Sequence, residues 1–367
     1  MFFLPTAPDE QKRQHMNQQS GTDAARRDAG LTARWDSRAG RTSSTPLLPR
    51  RGFIGSALAM GALGVPLSPA RAAGGEKLTV ILDWLLNVNH AALFAAQECG
   101  AFTRAGLDVE LVSPSDPDSP ARLVTAGQAD VALGYGTQIN LLVDQGLPLV
   151  RFGTLIDRPI NVVAAMGNGS VRTLADLKGR RVGLSVSGVE ESLLAAMLHS
   201  AGLSISDVTV TKVNYQMVTA LLTGQIDAAI GAYRNAEVLE IEHTSGIAPV
   251  IFAPEDHGVP LYDELIMLTR QDLRADPRIP RFIAAVAEGR AALLAHPDDM
   301  RRAFVARHTE QDTPVLEKAW AMTSGWIPEN PGHLDTARYE TFEKFCLAYG
   351  VISKLAPLDS FATETRT

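Results

Sequence analysis

A short pattern occurs twice in this sequence, and few folds can hold both copies. Leu123-Val124-Thr125-Ala126-Gly127-Gln128-Ala129-Asp130-Val131-Ala132-Leu133-Gly134-Tyr135 returns as Leu221-Leu222-Thr223-Gly224-Gln225-Ile226-Asp227-Ala228-Ala229-Ile230-Gly231-Ala232-Tyr233. Each copy reads the same way. A helix ends at a glycine able to take the left-handed conformation, an Asp follows, and a short apolar strand closes on Gly and Tyr. In open α/β sheets, ligands bind beyond the carboxyl ends of strands. Two such units, 97 residues apart at the glycine, predict two similar lobes. Each presents a tyrosine, Tyr135 or Tyr233, to a shared cleft.

The surroundings agree. Residues 78–82 are a β-rich apolar run, 90–99 have helical spacing closed by Gly100, and 107–112 read as a second strand ended by the Pro- and Ser-rich segment 113–120. Such alternation predicts an α/β fold with largely parallel sheets. In residues 181–190 a third strand runs into a loop of small and hydroxyl residues, Ser185-Val186-Ser187-Gly188, before a helix over 190–201. N–H groups at such a helix start suit an anion or polar ligand atoms. From about Pro277 the pattern is helical, punctuated by Pro280, Pro297, Pro314, Pro328 and Pro331.

The first 72 residues read as an address rather than as structure. Residues 1–49 are polar and Arg-rich. Then come Pro49-Arg50-Arg51-Gly52-Phe53, a weakly apolar stretch diluted by Gly55, Gly61 and Gly64, and Ser68-Pro69-Ala70-Arg71-Ala72. This is a basic region, an apolar region and a small-x-small cleavage signal. The paired arginines resemble the twin-arginine export signal, with cleavage expected after Ala72 and a periplasmic product. The 72 residues hold 10 Lys+Arg and 5 Asp+Glu of the chain's 34 and 41, so the mature net charge is −12. An acidic body without a basic stripe argues against nucleic acid as a partner. The composition, 46% hydrophobic and 20% charged, is that of a globular protein. Cys99 and Cys346 form no CxxC pair and are expected as free thiols.

Residues 82–90, Leu82-Asp83-Trp84-Leu85-Leu86-Asn87-Val88-Asn89-His90, resemble the Asp-Trp-x-x-Asn-x-x-His motif of periplasmic proteins that bind thiamine-pyrimidine precursors. They are also similar to the fungal thiamine-pyrimidine synthases of the same fold. The resemblance continues through Gly106-Leu107-Asp108-Val109, Asp157-Arg158-Pro159, Lys178-Gly179-Arg180-Arg181-Val182-Gly183 and Ala232-Tyr233-Arg234-Asn235-Ala236-Glu237. It covers most of 78–242 and, more weakly, the helical tail. The Lys-Gly-x-x-Val-Gly and Gly-x-x-Asp pieces are common to sulfonate-, taurine- and nitrate-type binding proteins and speak only to the fold. Residues 84–90 and 232–237 point to the pyrimidine branch.

The resemblance implies a type-2 periplasmic-binding fold, two α/β lobes joined by two crossovers. Lobe I would take 76–165 and 262–367, and lobe II 166–261. It implies ligand contacts at Asn87, Tyr135, Ser185, Ser187, Gly188, Tyr233 and Glu237. Trp84 and His90 belong to the same motif, either as contacts or as supports. Aromatic rings suit a flat aminopyrimidine, and Glu237 and Asn87 suit its amino group and ring nitrogens. Tyr233 and Glu237, four apart, would share a face if a helix starts there.

The function implied is the substrate-binding component of an ABC importer. Permease and ATPase subunits are the partners, the receptor is expected as a monomer, and neither cofactor nor metal is expected. A synthase of this type carries a cysteine-rich iron motif and a lysine near the first strand. This chain has no cysteine between Cys99 and Cys346 and no lysine between Lys77 and Lys178. The sequence also lacks GxSxG, HExxH and a glycine-rich phosphate loop. A sulfonate, taurine or nitrate ligand would lean on Ser185, Ser187 and Arg234, but Glu237 would repel it.

Overall fold

A computed structural model of the protein describes residues 75–366. The expected export signal and its cleavage site lie outside them. The strands in chain order are β1 (Glu76–Ile81), β2 (Leu107–Val112), β3 (Val131–Tyr135), β4 (Leu149–Ile156) and β5 (Asn161–Ala165), then β6 (Arg181–Leu184), β7 (Thr209–Lys212), β8 (Ala228–Tyr233), β9 (Val250–Phe252) and β10 (Leu265–Arg270). They form two sheets, β2-β1-β3-β10-β4 and β7-β6-β8-β5-β9.

The two sheets have one plan. In the first, β1 is parallel to β2 and β3, and β10 runs antiparallel to β3 and β4. In the second, β6 is parallel to β7 and β8, and β5 runs antiparallel to β8 and β9. The sheets are therefore mixed rather than largely parallel, because β10 and β5 each enter from the other lobe and run against their neighbours. The repeated pattern supplies the middle strand of each sheet, β3 and β8. Its helix-ending glycines take φ of 72° and 71° at Gly127 and Gly224. Its Asp is structural: Asp130 accepts the N–H of Thr79 on β1, and Asp227 accepts that of Arg181 on β6, both at 2.9 Å.

The second copy is one residue longer between its glycine and its tyrosine, and a β-bulge absorbs the difference. Opposite Val162 and Val163 stand Ala232 and Ile230, which leaves Gly231 as the extra residue at φ 94°, a conformation glycine takes without strain. Tyr233 then faces Asn161, the first residue of β5, as Tyr135 faces Leu265, the first residue of β10.

The lobe boundaries differ from the expected ones. The chain leaves the first sheet at Ile156 and enters the second at Asn161, so β5, assigned to lobe I by its position before residue 166, pairs in the second sheet. Strand periodicity does not say which sheet a strand joins. The tail also does not stay with one lobe. In the helix Thr336–Ala348, Tyr339 packs with Ile139 and Ile266 of the first lobe, whereas Phe342, Phe345 and Cys346 pack with Val163 and Leu194 of the second. Both cysteines are free thiols, and burial pushes Cys346 up to about 12. Among the described residues no helix is long and apolar enough to cross a membrane.

Candidate functional site

The carboxyl ends of β1, β3, β6 and β8 converge on a small cavity of about 30 Å³ between the sheets. From the first lobe come Asp83, Trp84 and Asn87, just after β1, and Tyr135 at the end of β3. From the second come Ser185, Val186, Glu190, Met217, Gly231, Tyr233, Ala236 and Glu237.

The first-lobe wall is built on Asp83, which is 2% exposed. Its Oδ1 lies 2.9 Å from His90 Nε2, and its Oδ2 accepts the Tyr135 hydroxyl at 3.3 Å. The backbone N–H of Asn87 donates to His90 Nδ1 at 3.0 Å, so the ring proton sits on Nε2 and points at Asp83. Tyr135 spends its proton on Asp83, which leaves its oxygen lone pairs to face a donor. Burial holds the Tyr135 and Tyr233 phenols well above 10, so both stay protonated. Asn87 caps the turn Val88–His90 through a bond from Asn89 N–H to its Oδ1 at 2.8 Å, and its Nδ2 donates to the Leu85 carbonyl at 3.0 Å. One N–H and one lone pair of that amide remain for a ligand. Trp84 is half-buried and meets Tyr215 of the second lobe edge-on at 4.4 Å.

The second-lobe wall is acidic. Glu190 Oε2 accepts the N–H groups of Ser185 at 2.7 Å and Val186 at 3.1 Å, and burial pushes its carboxyl up to about 8 against those bonds. Its other oxygen occupies the space left by Gly231, where a Cβ would stand 2.3 Å from it. Glu237 Oε2 accepts the Tyr233 N–H at 2.9 Å, and burial pushes it up to about 7. Tyr233 ends β8 and Glu237 opens the helix Glu237–Ser245. The two therefore meet through this strand-to-helix hydrogen bond and not along one helical face as expected.

Around the cavity the lobes touch directly. Asn235, fully buried, donates to Asn89 Oδ1 at 2.7 Å and to Thr323 Oγ1 at 2.6 Å. Asp118 of the first lobe accepts the Ser187 N–H at 2.9 Å and pairs with Lys212. Tyr215 donates to the Pro114 carbonyl at 3.0 Å.

Of the residues singled out from the sequence, Trp84, Asn87, Tyr135, Ser185, Tyr233 and Glu237 line the cavity. His90, Ser187 and Gly188 do not. His90 is sealed beneath the wall at 0% exposure, with both ring nitrogens bonded. Ser187 sits at the rim in the Asp118–Lys212 contact, and the Gly188 N–H is taken by Glu191. Sequence reasoning missed Asp83, Glu190, Gly231 and Met217. Asp83 stood inside the recognised motif. Gly231 was the extra residue between glycine and tyrosine in the second copy. Glu190 carried no local signal, because a glutamate in a first helical turn is ordinary capping chemistry.

The profile of the NMT1/THI5-like family matches residues 87–300. A relative from Haemophilus influenzae, whose name assigns it to thiamine biosynthesis, is 42% identical over 79% of this chain and 92% of its own. A formylaminopyrimidine-binding protein from Halalkalibacterium halodurans is 29% identical over 66% of this chain and 74% of its own. A 4-amino-5-hydroxymethyl-2-methylpyrimidine phosphate synthase from Uromyces fabae is 31% identical over 46% of this chain and 49% of its own. The relatives thus include both binding proteins and synthases. Among solved structures, the alkanesulfonate-binding protein SsuA from Xanthomonas axonopodis pv. citri bound to MOPS superposes with a TM-score of 0.61 at 16% identity, covering 80% of this chain and 99% of that one. The fold is that of periplasmic binding proteins, and the chain belongs to the NMT1/THI5-like family.

Proposed function

We propose that this protein is the substrate-binding component of an ABC importer and captures an aminopyrimidine precursor of thiamine between its lobes. The observation that carries the reading is the cavity wall: aromatic faces at Trp84, Tyr135 and Tyr233, an amide at Asn87 and carboxyl groups at Glu190 and Glu237. A flat ring stacks on such faces, and its amino group donates to the carboxyl oxygens and to the lone pairs of Tyr135. The cavity itself, about 30 Å³, is smaller than a pyrimidine, so in this reading the lobes part to admit the ligand.

Binding without chemistry is the better reading of the site. Among the described residues no lysine, cysteine or histidine lines the cavity, and both ring nitrogens of His90 are bonded. In this proposal the leader directs export to the periplasm with cleavage after Ala72, and the ligand-closed monomer is read by permease and ATPase subunits. Hinge closure follows from a ligand that contacts both lobes and so favours the closed arrangement.

Calorimetric titration with 4-amino-5-hydroxymethyl-2-methylpyrimidine and its formylaminomethyl analogue, against taurine, tests the ligand class. Binding of a pyrimidine and not of taurine is expected. Taurine binding alone would keep a two-lobed receptor and remove the pyrimidine. Turnover of a bound pyrimidine on prolonged incubation would overturn the receptor reading.

A further inference from the structure

The turn from β6 into the helix Val189–Ser200 presents four consecutive N–H groups, those of Ser185, Val186, Ser187 and Gly188. Free N–H groups at the head of a helix are a ready site for an anion. Here each of these four is bonded to a carboxyl group of the chain itself. Glu190 Oε2 accepts from Ser185 and Val186, Asp118 Oδ1 from Ser187, and Glu191 Oε2 from Gly188. Asp118 and Glu191 close the outer half of the turn. Glu190 closes the inner half, inside the cavity and 5% exposed. The bulge at Gly231 makes room for it: a side chain there would collide with the carboxyl group.

We propose that Glu190 is a specificity-determining residue that bars anionic ligands, so that the cleft takes the unphosphorylated aminopyrimidine and rejects its phosphate ester and alkanesulfonates. This inference rests on the pyrimidine reading above. A phosphate entering the cavity finds the N–H groups of Ser185, Val186, Ser187 and Gly188 taken, no lysine or arginine among the described lining residues, and Glu190 and Glu237 in the wall. To reach the N–H groups it must displace Glu190, stranding a buried acidic group without its two donors. Oε2 keeps both bonds whether or not a proton sits on Oε1, so the turn stays filled in either state. The surrounding fold is shared with sulfonate-binding proteins, and a carboxyl group in the turn changes ligand class without changing architecture.

The test is titration of the protein with three probes at equal ionic strength: 4-amino-5-hydroxymethyl-2-methylpyrimidine, its phosphate ester, and propanesulfonate. The unmodified protein is expected to bind the alcohol roughly a hundredfold or more tighter than the phosphate ester, and to bind no sulfonate. Glu190→Ala frees two N–H groups and removes the acidic group, and it should raise phosphate affinity relative to alcohol by about tenfold or more. Asp118→Ala frees only the Ser187 N–H at the rim and should leave that ratio within about threefold. Melting curves establish that the variants fold. Should Glu190→Ala fail to fold, the selectivity of the unmodified protein and of Asp118→Ala still decides.

Equal binding of alcohol and phosphate ester overturns the inference and leaves the pyrimidine reading standing. So does an unchanged ratio in folded Glu190→Ala. Sulfonate binding without pyrimidine binding overturns both. Binding of none of the three removes the pyrimidine reading and, with it, the selectivity assigned to Glu190.

Discussion

The carboxylate of Glu264 accepts the backbone N–H of Asn161 at 3.0 Å across 103 positions of sequence. It also accepts the N–H of Ile160 at 2.8 Å. Asn161 follows the first crossing between the lobes and Glu264 ends the second, so one buried carboxyl group ties the two crossings together. The backbone joins in, with Glu264 N–H donating to the Ile156 carbonyl at 3.0 Å. Asn161 passes the connection on, since its Oδ1 accepts the N–H of the bulged Gly231 at 3.0 Å. The hinge and the cavity wall are thus linked through two side chains.

Removing the acceptor should therefore cost more than removing the charge. Glu264→Ala strands two buried N–H groups and is expected to lower unfolding free energy by about 2–5 kcal/mol. Glu264→Gln keeps an acceptor in place and should cost clearly less. Urea denaturation of both variants reads the difference, and equal losses would show that the two N–H bonds are not what Glu264 contributes.

Much of this fold was legible in the sequence because the repeat carried it. Gly127, Asp130 and Tyr135, and their counterparts Gly224, Asp227 and Tyr233, each mark a backbone event that only certain side chains satisfy. Six of the nine expected contact residues line the cavity. The failures have one cause: the sequence shows which groups are polar and not whom they bond. His90 was a candidate contact by motif, but its nitrogens are spent on Asp83 and on the Asn87 N–H. The N–H groups of Ser187 and Gly188 looked open to a ligand and are taken by Asp118 and Glu191. Asp118 lies 69 residues from Ser187, and no local pattern reports such a pairing. The strand β5 was assigned to the wrong sheet for the same reason, since its partners β8 and β9 follow it far along the chain.

Two glycines with similar dihedral strain allow the role of Gly231 to be isolated. Gly224 has φ 71° with nothing within 4 Å of its Cβ position, whereas Gly231 has φ 94° with Glu190 Oε1 2.3 Å away. Alanine at either site carries a backbone penalty of about 1–2 kcal/mol. Only Gly231→Ala also drives Glu190 from its place. Both variants should lose thermal stability, and only Gly231→Ala should lose pyrimidine affinity, by about tenfold or more. Matched affinity losses would mean that strain alone, not the position of Glu190, governs binding.

Asn235 is buried at the point where the lobes meet, and its side-chain amide donates to Asn89 and Thr323, both on the first lobe. Asn235→Ala removes two interlobe hydrogen bonds, each worth about 1 kcal/mol net. The open arrangement should gain population, and ligand affinity should fall by about tenfold because closure contributes to binding. Small-angle scattering should show a larger radius for the ligand-free variant. An unchanged radius and affinity would remove Asn235 from the closing contacts.

Two buried glutamates, Glu190 and Glu264, and a half-buried one, Glu237, predict how stability varies with pH. Burial is the largest cause in each case, and it pushes Glu190 up to about 8 and Glu237 and Glu264 up to about 7 from an ordinary 4.5. Neighbouring acids add to it: Glu264 and Asp118 act on Glu190, Glu240 and Asp83 on Glu237, and Asp83 on Glu264. Between pH 4.5 and 8 the folded protein therefore holds more protons at these sites than the unfolded chain. Stability from this source is complete below pH 4.5 and is lost as pH rises through the folded values, by at most about 1.4 kcal/mol per pH unit for each group. Asp118, Asp227 and Asp276 are shifted the other way, below 3.8, and their contribution is lost only in stronger acid. Urea midpoints of the ligand-free protein should therefore fall from pH 5 to pH 8. Glu237→Gln should flatten the fall between about pH 4.5 and 7, and Glu190→Gln should flatten it up to about pH 8. A profile flat across this range, or one that both variants leave unaltered, would show that these carboxyl groups ionise in the folded protein as they do in the unfolded chain.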